Sequence, residues 1–122
     1  MASKTVLMNA MYDQLFSFLG ELIEMYPEDA DFQLFKTTLK MVKMSNPTLA
    51  VTYIKDATSK FNEQILKKDE NFFIDYAYEE YGSEIDLNIF AKLKEYYKNM
   101  DEKSKENVWK YTQNIVKLSN SL

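Results

Sequence analysis

Residues 69–81, DENFFIDYAYEEY, place Phe72, Phe73, Ile74, Tyr76, Ala77, Tyr78 and Tyr81 within one short run. On a helix, at about 100° per residue, these groups point all round the axis and leave no polar face. Such a segment must be enclosed, either by the rest of its own fold or by a partner. Read as a helix from about Glu70 to Tyr81, with Asp69 as N-cap, it makes the chain all-α. The alternation of Ile74, Tyr76 and Tyr78 leaves a short extended piece as the alternative. Gly82 and Ser83 stop the segment.

The flanking sequence supports the helical reading. Upstream, Pro47 suits the first turn of a helix reaching about Lys68, with Ala50, Ile54, Ala57, Thr58, Phe61 and Ile65 on one narrow stripe. Its small residues allow close approach to a neighbouring helix. Downstream, a helix from about Asp86 to Met100 is one-sided. Ile89, Phe90, Leu93, Tyr96, Tyr97 and Met100 lie opposite Lys92, Glu95 and Asn99. The last helix begins near Asp101 and presents a wide arc from Val108 and Trp109 to Leu118. Lys103, Lys110 and Lys117 recur every seven residues on its other face.

Nearer the start, a helix from Ser3 or Lys4 to Tyr26 carries an apolar arc of roughly 180°, wider than one neighbour can cover. Pro27 ends it. The next helix, about Asp29 to Ser45, aligns Phe32, Phe35, Leu39 and Val42 on one stripe. Leu34 and Met41, seven apart, make a second, smaller face, and Lys36, Lys40 and Lys43 form a basic stripe. Acidic Glu28, Asp29 and Asp31 suit the positive end of that helix. The expected fold is therefore all-α: a compact single-domain bundle of five or six helices over residues 1–122, with the first and last helices central.

Composition agrees and narrows the chemistry. The 122 residues suffice to bury about two-thirds of the unfolded surface. Two glycines and two prolines suit long helices better than a many-turned β fold. The net charge of −4 argues against general attraction to nucleic acid or anionic membrane. All 15 basic residues are lysine, so arginine's bidentate recognition of phosphate or guanine is lacking. No apolar run approaches the roughly 18 residues of a membrane span, and the N-terminus lacks the features of a signal peptide. A soluble intracellular protein is expected.

Catalytic signals are poor. Without histidine or cysteine there is no common general base, no thiolate nucleophile and no zinc site of the usual kind. Gly20 and Gly82 alone cannot build a phosphate-cradling loop. Asp75, Glu79, Glu80, Glu84 and Asp86 form the richest acidic cluster, but without the glycine-centred spacing of a calcium loop. No catalytic, cofactor or metal residue is expected, no small-molecule substrate is evident, and the chain reads as non-enzymatic.

Interaction is what remains. Nine tyrosines, eight phenylalanines, seven methionines and one tryptophan must be housed in a small domain, so some rings are expected at its surface. The candidate partner-binding residues are Phe72, Phe73, Tyr76, Tyr78, Tyr81, Glu79, Glu80 and Trp109, an aromatic and acidic set suited to a basic protein partner or to self-association. The alternative is an accessory nucleic-acid-associated factor in viral DNA packaging or transcription, with Lys36, Lys40 and Lys43 touching phosphates.

Two stretches carry a resemblance. They are Gln64-Ile65-Leu66-Lys67-Lys68-Asp69-Glu70-Asn71-Phe72-Phe73 and Met100-Asp101-Glu102-Lys103-Ser104-Lys105-Glu106-Asn107-Val108-Trp109-Lys110-Tyr111. Together they cover the C-terminal half. The pairing resembles short helical proteins encoded by nucleocytoplasmic large DNA viruses, including those of algae and amoebae. The resemblance implies a viral protein acting in the virion or the infected host cell. It implies no activity and transfers no functional residue.

Overall fold

Three short polar side chains start three of the helices. Ser3 Oγ accepts the Val6 N–H at 3.2 Å, Asp29 Oδ1 the Asp31 N–H at 3.0 Å, and Asp101 Oδ1 the Ser104 N–H at 2.7 Å. Each satisfies a backbone donor that the first helical turn leaves without a partner. The computed structural model describes residues 3–58, 62–69, 92–93 and 96–122. Among these residues there are five helices and no strand: α1 (Lys4–Met25), α2 (Ala30–Ser45), α3 (Pro47–Thr58), α4 (Asn62–Leu66) and α5 (Glu102–Asn120). The fold is all-α. The aromatic stretch 70–81 lies outside the described residues.

The helix ends follow from local chemistry. Pro27 closes α1 just after Tyr26, whose N–H makes the last bond back to the Leu22 carbonyl. Asn46, held out of helical geometry by Pro47, separates α2 from α3 at φ −155° and ψ 78°. The single helix expected from Pro47 to about Lys68 is described as two, α3 and α4, with residues 59–61 outside the described set. At the end of α4, Lys68 adopts φ 57°. Its N–H bonds to the Ile65 carbonyl, and the Asp69 N–H reaches back to Gln64 at 2.9 Å. This is a Schellman closure with lysine where glycine is usual. From α5, Gln113 Nε2 donates to the Ile65 and Leu66 carbonyls at 3.2 and 3.1 Å, satisfying the end of α4 a second time.

The helices close into a circuit. α1 packs on α2 and α5, and α3 packs on the same two, while α4 lies against α5. The α1–α5 contact is the most extensive among the described helices, which puts the first and last helices at the centre. From α1, Met11, Tyr12, Leu15, Phe18, Leu19 and Leu22 are buried, and the wide arc of this helix is spent on two neighbours. Across it, α5 buries Val108, Trp109, Ile115 and Val116. Thr58, Thr112 and Ser119 are also buried, and each hydroxyl donates to a carbonyl of its own helix, so none of the three is stranded in the core.

None of the described aromatic side chains is exposed, and the rings expected at the surface, Tyr76, Tyr78 and Tyr81, lie outside the described residues. The described rings pair inside the bundle. Tyr26 stacks on Tyr96 with centroids 3.9 Å apart, Phe18 on Tyr111 at 5.2 Å, and Tyr97 meets Trp109 edge-on at 6.2 Å. Flat rings in pairs fill a small core without large voids.

Candidate functional site

The exposed large apolar side chains among the described residues are aliphatic: Val6, Met25, Leu34, Met41, Met44 and Leu66. Three of the six lie on α2. Its inner face is set by Phe32, Phe35, Leu39 and Val42, all buried against the bundle. At about 100° per residue, Leu34, Thr37, Met41 and Met44 occupy an arc of roughly 80° on the opposite side. Leu34, Met41 and Met44 are 59%, 62% and 88% exposed, far more than ordinary core-helix side chains. The stripe runs for about 15 Å at 1.5 Å per residue. Its exposed surface needs no distortion of the helix, because Phe32 to Val42 already anchor α2 from the other side.

Lys40 stands beside this stripe on one edge, and Lys36 and Lys43 lie further round the helix towards its buried face. Lys40 is exposed, Lys36 is half-buried, and neither has a carboxylate within ion-pair distance among the described residues. Lys43 is different. Its Nζ lies 5.7 Å from the ring centroids of both Tyr12 and Phe16, a cation–π seat that joins α2 to α1. The basic stripe of the sequence is thus one structural lysine, Lys43, one half-buried lysine, Lys36, and one exposed lysine, Lys40.

Trp109 is corrected by the structure. It is only 4% exposed, and its Nε1 donates to the Tyr97 hydroxyl at 2.8 Å. It is a core residue with its polar atom satisfied, and no partner can reach it on the folded surface. Phe72, Phe73, Tyr76, Tyr78, Tyr81, Glu79 and Glu80 lie outside the described residues.

Among the described residues, the α1–α2 turn gathers a cluster of charges. Lys92 Nζ lies 3.0 Å from Asp29 Oδ2 and 2.9 Å from Asp31 Oδ2, and the Tyr96 hydroxyl donates to Asp29 Oδ2. The Tyr96 hydrogen bond, followed by Lys92, holds the Asp29 carboxyl below its ordinary range. Burial, with the Asp101 charge nearby, pushes the Tyr26 hydroxyl up. An open cleft of about 660 Å³ sits here, lined by Met25, Tyr26, Pro27 and Ala30 together with this cluster. Both Asp29 oxygens are engaged, one in capping α2 and one with Lys92 and Tyr96, so the cluster fastens the corner and holds no idle acid or base. Lys92, expected on a solvated face, is drawn into this network. No group of three or more carboxylates is placed to hold a metal ion among the described residues.

The exposed face of α2 was half visible in the sequence as the pair Leu34 and Met41. Met44, three residues further along the same face, was the missed member. The Asp29–Lys92 link had no local signal, since it joins distant parts of the chain. None of the described helices is long and apolar enough to cross a membrane. No family model, curated protein or solved structure matches the chain.

Proposed function

We propose that this chain is a non-enzymatic helical interaction module, and that the outer face of α2 is its contact surface. The observation that carries the reading is the aligned exposure of Leu34, Met41 and Met44 on a helix already anchored from behind. Exposed apolar side chains scattered singly are ordinary, whereas several in register on one face favour an interface. The absence of histidine and cysteine from the sequence supports the non-catalytic half of the reading. The resemblance of the C-terminal half to large-DNA-virus proteins supports a role in the virion or the infected cell.

The nucleic-acid alternative keeps Lys36 and Lys40 but loses support from Lys43, whose ammonium group is occupied over Tyr12 and Phe16.

The test is positional crosslinking. A photoreactive side chain is placed at position 44, and a control at exposed Lys110 on α5. The proposal expects protein adducts, to a second copy or to another chain, from position 44 and few from position 110. Equal labelling at the two sites would sink it.

A further inference from the structure

We propose that the outer face of α2 receives an amphipathic helix of a partner protein whose apolar stripe seats on Leu34, Met41 and Met44 and whose acidic edge runs along Lys36 and Lys40; this rests on the interaction-module reading. The stripe follows the spacing i, i+3, i+7 and i+10 through Thr37, which is the spacing that a partner helix laid along α2 would meet. Its roughly 15 Å length matches about three turns of such a helix.

Charge selects the occupant. One edge of the stripe carries Lys40, with Lys36 further round the helix, and neither is paired to a carboxylate among the described residues. The other edge carries Ser45, Thr38 and Asp31, and Asp31 is already bound to Lys92 at 2.9 Å. Among the described residues of α2, then, the stripe is flanked by lysine on one side and by an aspartate already paired on the other, in a chain whose net charge is −4. A helix with carboxylates along a single edge complements it, and the asymmetry also fixes which way that helix is turned. A second copy of this chain fits less well. In a two-fold antiparallel pairing of α2 with itself, each edge meets its own copy, so lysine faces lysine.

The experiment uses two synthetic amphipathic helical peptides of about five turns. They have identical leucine stripes, and one has glutamate and the other lysine along one edge. Binding to the full chain is measured by calorimetry at low and moderate salt. The inference expects the glutamate-edged peptide to bind at least about tenfold more tightly than the lysine-edged one, with the difference shrinking as salt rises. Met41→Glu combined with Met44→Glu should abolish binding and leave the melting temperature unchanged, because both side chains are exposed. Lys36→Glu combined with Lys40→Glu should reverse the preference.

Equal binding of the two peptides overturns the acidic-helix inference while the interaction reading stands. Light scattering that shows a dimer broken by Met44→Glu, with neither peptide bound, assigns the face to a second copy and also overturns it. If neither peptide binds and the chain stays monomeric at every concentration, the inference falls, and the interaction reading stands or falls on the crosslinking from position 44.

Discussion

Replacing Tyr12 by phenylalanine should destabilise the fold at neutral pH and stabilise it, relative to the wild type, above about pH 11. Tyr12 is fully buried on α1, and its hydroxyl donates to the Pro47 carbonyl at 2.8 Å, tying α1 to the first residue of α3. Phenylalanine keeps the ring and removes only that bond, which is worth about 1 kcal/mol net. Burial also pushes the Tyr12 hydroxyl up to about 12 from an ordinary value of 10.0. The neutral form is thus favoured in the folded chain. Its contribution is fully present below pH 10 and is lost as the pH rises towards 12, where the unfolded chain releases the proton and the folded chain resists. The loss grows to about 1 kcal/mol near pH 11 and about 2 kcal/mol at pH 12. It matches the hydrogen bond near pH 11. The other tyrosines and lysines are common to both proteins, and those that do not touch Tyr12 cancel in the difference. Urea melts of the two proteins at half-unit steps from pH 8 to 11.5 supply the assay. A stability difference that stays constant across that range would refute the burial argument. A variant as stable as the wild type at pH 8 would refute the hydrogen-bond argument.

Two further substitutions probe local features. Lys68→Gly places the residue best suited to φ 57° in the Schellman closure of α4 and should stabilise the chain by about 1 kcal/mol, read as a rise of a few degrees in melting temperature; a fall would mean that the lysine side chain contributes more than its backbone costs. Asp29→Asn keeps a capping oxygen but removes the charge that Lys92 and Tyr96 hold, so acid stability should change: the wild type loses the Asp29 contribution as pH falls from the ordinary carboxyl value of 3.8 through the lowered folded value, and the variant has none to lose. Melting curves between pH 2 and 6 that remain parallel for the two proteins would count against the Asp29–Lys92–Tyr96 network.

What was legible in the sequence was local. The helix starts near Ser3, Asp29 and Asp101 and the breaks at Pro27 and Pro47 depend on residues within a turn of themselves, and the caps found at those starts set the helix boundaries. The periodic burial of α1 and α2 also followed from spacing alone. Trp109 was misjudged because a large amphipathic ring at the edge of a wide arc suits a core or an interface equally. Its acceptor, Tyr97, lies twelve residues earlier on a different element. The corner at Asp29 was illegible for the same reason in stronger form: Tyr96 is 67 residues away, and nothing in either neighbourhood announces the other. The solvent face of α2 fell between these cases. Its period was visible, but whether Leu34, Met41 and Met44 met a neighbour depended on how the remaining helices were arranged.

The seating of Trp109 gives the chain a built-in optical reporter. It is the one tryptophan of the sequence, enclosed in the core and hydrogen-bonded to Tyr97, while the outer face of α2 lies on a different helix and points to solvent. Its emission should therefore stay blue-shifted when something docks on α2 and move to longer wavelength only when the bundle opens. A single fluorescence trace can then tell a lost partner from a lost fold, which is the distinction that every substitution on that face will require.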